Sequence, residues 1–107
     1  MTFKAYLQKE RHSDNSIERY LLRLKNYENW YKKRGVNGTL IDYKTLLKYV
    51  KYLQSKEWKA ETVNNQIRGI NYYFEYLINE NIRVDNPAED VKVKRERTKV
   101  LSNLLSS

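Results

Sequence analysis

The chain has 107 residues, enough for one small domain with a single core. It carries 21 Lys+Arg against 13 Asp+Glu, a formal charge of +8, with no cysteine and a single histidine, His12. That composition excludes a disulfide framework and a thiolate metal site, and leaves no basis for a multi-histidine zinc site. No apolar run reaches the length of a membrane span, and the N-terminus lacks a signal-peptide stretch, so the expectation is a soluble, cytoplasmic domain.

The elements read in chain order as helices. A short one over about Thr2 to Glu10 offers Phe3, Tyr6 and Leu7. The second follows Ser13-Asp14-Asn15-Ser16, a cluster of N-cap residues, and sets Ile17, Tyr20, Leu21, Leu24, Tyr27 and Tyr31 on one face. Ser13 and Ser16 do not make a full capping box, which needs Glu or Gln at the third helical position. Gly35, after Lys32-Lys33-Arg34, is a C-terminal stop with cations suited to the helix dipole. Asn37-Gly38 marks a turn. A third helix takes Asp42 as N-cap, carries Tyr43, Leu46, Leu47, Val50 and Leu53 on its apolar face, and fades at Gln54-Ser55-Lys56. The fourth has the clearest stripe: Val63, Ile67, Ile70, Phe74 and Leu77 recur at helical spacing from near Glu61 to about Asn79. Asn86-Pro87-Ala88 then breaks any helix. Beyond it Lys92, Lys94, Arg95, Arg97 and Lys99 face only Glu96, which reads as a basic linker, and the closing leucines read as the start of a further element. The fold class is therefore all-α, a four-helix bundle with a C-terminal basic linker.

Helical wheels locate the polar faces. On the second helix Arg19, Arg23, Asn26 and Lys33 oppose the apolar stripe, and Trp30 falls on that same polar side. On the fourth, Glu61, Asn65, Arg68, Tyr72 and Glu75 oppose the stripe, with Asn64 at its shoulder. Arg recognises phosphate or guanine and Asn recognises adenine, so these faces suit nucleic acid. The same residues also read as solvated helix surface, with Asn64 and Asn65 bonding locally and Tyr72 packing on a neighbour. The net charge tilts the reading toward a polyanion. Signals for enzyme chemistry are missing: Gly35, Gly38 and Gly69 match no phosphate-binding loop, Glu57 and Glu61 read as solvated helix charges, and His12 reads as a surface or capping residue.

Four features together resemble a known family. Ser13-Asp14-Asn15-Ser16 with Tyr20 and Leu24 is similar to an "S-x-N-T…Y…L" helix opening, and Trp30 to that helix's aromatic end. Thr62-Val63-Asn64-Asn65-Gln66-Ile67 with Ile70, Tyr73 and Tyr76-Leu77 is similar to "T-I-N…L…L-R-x-F…Y-L". Asn86-Pro87-Ala88 is similar to a closing "N-P-A", and the tail from Lys92 to Leu105 to a basic linker running into "L-S…L-L". This is the pattern of the N-terminal core-binding, or SAM-like, domain of tyrosine recombinases, the phage-integrase and Xer-type family. Two positions depart from it: Ser16 stands where the family often has Thr, and Ile70-Asn71 where it has "L-R", so its Arg is replaced by Asn.

The resemblance implies a division at residues 1–91, a helical DNA-binding domain, and 92–107, an interdomain linker and the start of a catalytic domain. It implies a domain that clamps one face of duplex DNA, with the second and fourth helices toward the major groove. Ser16, Arg19 and Arg23 would meet phosphates, Asn64, Asn65, Arg68 and Tyr72 bases or sugars, and Lys94, Arg95 and Arg97 phosphates along the linker. The implied partners are double-stranded DNA and other recombinase subunits in a synaptic complex, with no membrane, small-molecule substrate, metal or cofactor. The family's Arg/Lys/His set and Tyr nucleophile lie in a C-terminal domain, so no catalytic residue is expected here. The competing reading is a helical protein–protein interaction domain anchored on Trp30, Trp58 and Tyr72, its positive charge incidental.

Overall fold

A computed structural model describes residues 1–89 and 91. They form α1 (Phe3–Lys9), α2 (Asp14–Arg34), α3 (Tyr43–Gln54) and α4 (Ala60–Asn79), with no strand among the described residues. The expected all-α architecture and the order of its four helices are what the chain adopts.

Local chemistry sets the helix starts. Thr2 Oγ1 accepts from the Ala5 N–H at 3.1 Å, Ser13 Oγ from Ser16 at 3.2 Å, and Asp42 Oδ1 from Thr45 at 2.8 Å. The Thr45 N–H holds the Asp42 carboxyl below its usual range. Helix α4 starts at Ala60 with no side-chain cap, so packing of its apolar face must carry its start. Gly35 ends α2 at φ 71°, and its N–H returns to the Lys32 and Tyr31 carbonyls. After α3, Glu57 takes φ 62° and turns the chain back toward α4, a left-handed conformation costly for a residue with a Cβ.

The core is dominated by rings. Tyr27 is fully buried, with Tyr31, Tyr49 and Phe74 edge-on to it at 5.0–6.2 Å and Trp30 stacked at 6.3 Å. Its hydroxyl donates to the Gly38 carbonyl at 2.7 Å, and burial pushes its pKa up. A Cβ at Gly38 would overlap the Tyr31 ring, so only glycine fits there. Helix α1 closes one end of the bundle through Phe3 and Tyr6, both 5.6 Å from Tyr76, with Phe3 also 5.6 Å from Tyr73. The α4 stripe expected from spacing is buried throughout, with Gly69 and Tyr73 beside it.

Trp30 corrects the sequence reading. The wheel places it on the polar side of α2, yet it is 5% exposed and its ring lies 5.0 Å from Tyr49 of α3. Tyr49 of α3 draws the Trp30 ring inward, whereas Asn29 and Lys33 on the same side of α2 stay exposed.

Two polar links secure the loops. Arg83 donates from Nη1 to the Thr39 and Ile41 carbonyls at 3.0 and 2.9 Å, pairs with Asp85, and lies 5.1 Å over the Phe74 ring. Asn86 donates to the side-chain oxygen of Asn71 on α4, and its own oxygen accepts from the Ala88 N–H at 2.9 Å, seating Ala88 in the core. Asn71, where the family pattern has Arg, thus receives the Asn-Pro-Ala turn.

Candidate nucleic-acid interface

Helices α2 and α4 pack more extensively than any other pair. Their register is antiparallel: Tyr20 meets Tyr72, Arg23 meets Gly69, and Asn26 meets Gln66. At the middle crossing, a Cβ on Gly69 would come within 2.9 Å of Arg23 Cβ and 3.0 Å of Cδ. The missing side chain lets the two backbones approach there and lays the Arg23 stem along α4. An interior helical glycine is the sequence signal for such an approach.

Above this crossing opens a polar cleft of about 320 Å³ lined by Ser16, Arg19, Tyr20, Arg23, Asn65 and Arg68. Five of the seven expected contact residues within the described part of the chain thus converge, from two segments more than 40 residues apart. No carboxylate pairs with Arg19, Arg23 or Arg68 among the described residues. Burial lowers the pKa of Arg23; Tyr20, whose ring is 5.5 Å from the guanidinium, opposes that, and the charges of Arg19 and Arg68 reinforce it. Guanidinium stays protonated regardless, so the cluster holds three mutually repelling cations that an anion would relieve. Ser16 sits in the first turn of α2, its hydroxyl accepting from Ser13 at 3.1 Å.

The remaining expected residues fall elsewhere. Tyr72 is half-buried, one turn beyond Arg68, with its ring 4.9 Å from Tyr20 and 4.8 Å from His12. His12, 5.4 Å from Tyr20, completes a three-ring wall at the cleft's end. Burial, with Tyr20 close by, raises the Tyr72 pKa and keeps the phenol neutral. Asn64 is half-buried beside Asn65 and outside the cleft lining. Lys94, Arg95 and Arg97 lie outside the described residues. Of the three aromatic anchors of the interaction-domain reading, Trp30 is buried, Tyr72 is half-buried and only Trp58 is exposed. Among the described residues no helix is long and apolar enough to cross a membrane, and no three His, Cys, Asp or Glu side chains gather to hold a metal ion.

Comparisons with known proteins agree with this architecture. Residues 1–81 match the family described as phage integrase, N-terminal SAM-like domain. Over 88 residues, 82% of this chain, the sequence is 30% identical to tyrosine recombinase XerD of Rickettsia conorii and 28% identical to that of Rickettsia bellii. The chain spans about 29% of the length of those relatives. No solved structure gives a significant match.

Proposed function

The chain belongs to the phage integrase N-terminal, SAM-like domain family, and from that premise we propose that it is the module by which a tyrosine recombinase grips duplex DNA during integration and recombination. The observation that carries the reading is the α2–α4 cleft, where Arg19, Arg23 and Arg68 meet Ser16 and Asn65 and, among the described residues, no carboxylate pairs with them. Three guanidinium groups carried by two packed helices suit the phosphates of one strand, and Asn65, which lines the same cleft, suits a base edge or sugar. Residues 92–107 serve as the basic linker, with Lys94, Arg95 and Arg97 continuing the phosphate track. The chemistry lies in a C-terminal catalytic domain of the parent protein, which is consistent with a chain spanning under a third of its relatives, and this module binds without cutting. Duplex DNA and the other recombinase subunits of a synaptic complex are its partners.

The test is a titration of fluorescently labelled duplex DNA by anisotropy at 50 and 200 mM salt. The three arginines of the cleft alone give a log–log salt slope of about −2.7, and linker contacts steepen it, so affinity should fall by at least roughly 40-fold between the two conditions. The double variant Arg19→Glu/Arg68→Glu should bind no duplex while keeping its helical circular-dichroism spectrum. A folded double variant with unchanged affinity would exclude this face as the DNA contact.

A further inference from the structure

A second cleft, of about 590 Å³, lies where the C-terminal half of α2 faces the end of α3 and the turn into α4. Its walls are aromatic: Trp30 and Tyr49 at the base, Tyr52 and Trp58 at the rim, the last two 39% and 38% exposed. Lys33, Arg34 and Lys56 supply three positive charges, Asn26 and Asn29 supply amides, and no carboxylate among the described residues lines it.

Two features of the cleft bear on what it could hold. Among the described residues, the buried side-chain polar atoms lacking a hydrogen-bond partner are Trp30 Nε1 and Tyr49 Oη, and both residues line this cleft. The indole N–H is donor-only, and burial raises the Tyr49 pKa and keeps its proton in place, so both groups require acceptors. The cations, meanwhile, rest on rings. Arg34 lies 5.1 Å over Trp30, and Lys56 lies 4.8 Å from the Tyr52 ring centre and 5.6 Å from that of Trp58. Lys56 therefore occupies the space between two exposed aromatic faces where a planar ring could stack.

We infer that this cleft binds an unpaired nucleotide of single-stranded DNA, its base stacked against Trp58 and Tyr52 and its phosphate held by Lys33, Arg34 and Lys56. Aromatic platforms beside a basic groove are the general chemistry of single-strand binding, since every base has a face to stack. The side-chain amides of Asn26 and Asn29, which line the cleft, can pair with the polar edge of the base. On entry of the base, Lys56 and Arg34 leave the rings for the phosphate and exchange a cation–π contact for a charge-assisted one. An acidic peptide would satisfy the cations equally well but would leave the flat aromatic rim without a partner. The inference stands apart from duplex binding at the arginine cleft, because different residues carry it.

The chain has two tryptophans, Trp30 and Trp58, and both line this cleft, so intrinsic fluorescence reads it directly. Titration of the 107-residue chain with a thymidine dodecamer at low salt should quench the emission. Lys56→Glu should weaken binding of the labelled dodecamer by at least about fivefold, and Trp58→Ala by at least about fivefold through lost stacking. Both variants should keep the wild-type affinity for duplex, which also shows that they are folded. Saturable quenching by thymidine monophosphate would assign the same chemistry to a free nucleotide. Three results would overturn the inference: no quenching by the dodecamer, equal quenching by a blunt duplex, or displacement of the dodecamer by polyglutamate as effectively as by unlabelled single strand.

Discussion

Replacing Arg83 by methionine removes one guanidinium and keeps an unbranched apolar stem over Phe74. The loss falls on two bonds, from Nη1 to the Thr39 and Ile41 carbonyls at 3.0 and 2.9 Å, which join the segment after α4 to the loop before α3. Bonds from a charged donor contribute about 1.5–3 kcal/mol each, and these half-buried carbonyls recover part of that from water. The expected net loss is about 2–3 kcal/mol, which for a domain of this size lowers Tm by about 8–24 °C. The other partner, Asp85, is 66% exposed against 10% for Arg83, and an exposed ion pair contributes only about 0.2–1 kcal/mol. Asp85→Ala should therefore lower Tm by only a few degrees. Differential scanning calorimetry on the two single variants separates the contributions. Equal losses would show that the ion pair anchors Arg83 and that the carbonyl bonds contribute little. A change below 2 °C in Arg83→Met, taken as roughly half a kcal/mol, would show that the loop needs no such tie.

Three further outcomes follow from the packing. Gly69→Ala gains about 1 kcal/mol of helix propensity but forces a Cβ onto the Arg23 stem, at an overpacking cost of about 1–3 kcal/mol. It should be slightly destabilised in thermal melts and bind duplex more weakly by anisotropy, and wild-type values in both assays would refute the close-approach argument. Tyr27→Phe leaves the Gly38 carbonyl buried without its donor, so urea unfolding should show a loss of about 1–3 kcal/mol. Burial, with Glu10 and then Glu89 nearby, raises the Glu75 pKa, so the fold favours its protonated form and that contribution disappears as pH rises through the raised value. Glu75→Gln should therefore be more stable than the parent at pH 7, with the advantage vanishing below the ordinary carboxylate range; denaturation midpoints across pH would show the opposite trend if the carboxylate were favourably placed.

The arginine cleft was half legible before any fold was drawn. Arg19, Arg23, Asn65 and Arg68 stand on polar arcs of two helices, and a wheel exposes that. Tyr72 was legible only as an alternative: it packs on Tyr20 and His12 at the cleft's end. A wheel misplaces Trp30 because it considers α2 by itself. The ring is buried against Tyr49 of α3, while Asn29 and Lys33 on the same side stay exposed. Arg83 carried no signal at all: its carbonyl partners lie more than 40 positions away in a loop, and a lone arginine after a helix looks like any surface cation.

Helix number and order, the Asp42 cap, the Gly35 stop, the buried stripe of α4 and the excess positive charge were determined by the sequence alone, because each depends on neighbours within a turn or two or on a simple sum. Tertiary structure decided which polar residues meet. Antiparallel packing pairs Arg23 with Gly69 and Asn26 with Gln66, and only the close approach at a residue without a side chain closes the arginine cleft. Packing of α3 beside α2 seats Trp30 against Tyr49. Such convergence depends on the relative placement of rigid helices, which no local periodicity encodes.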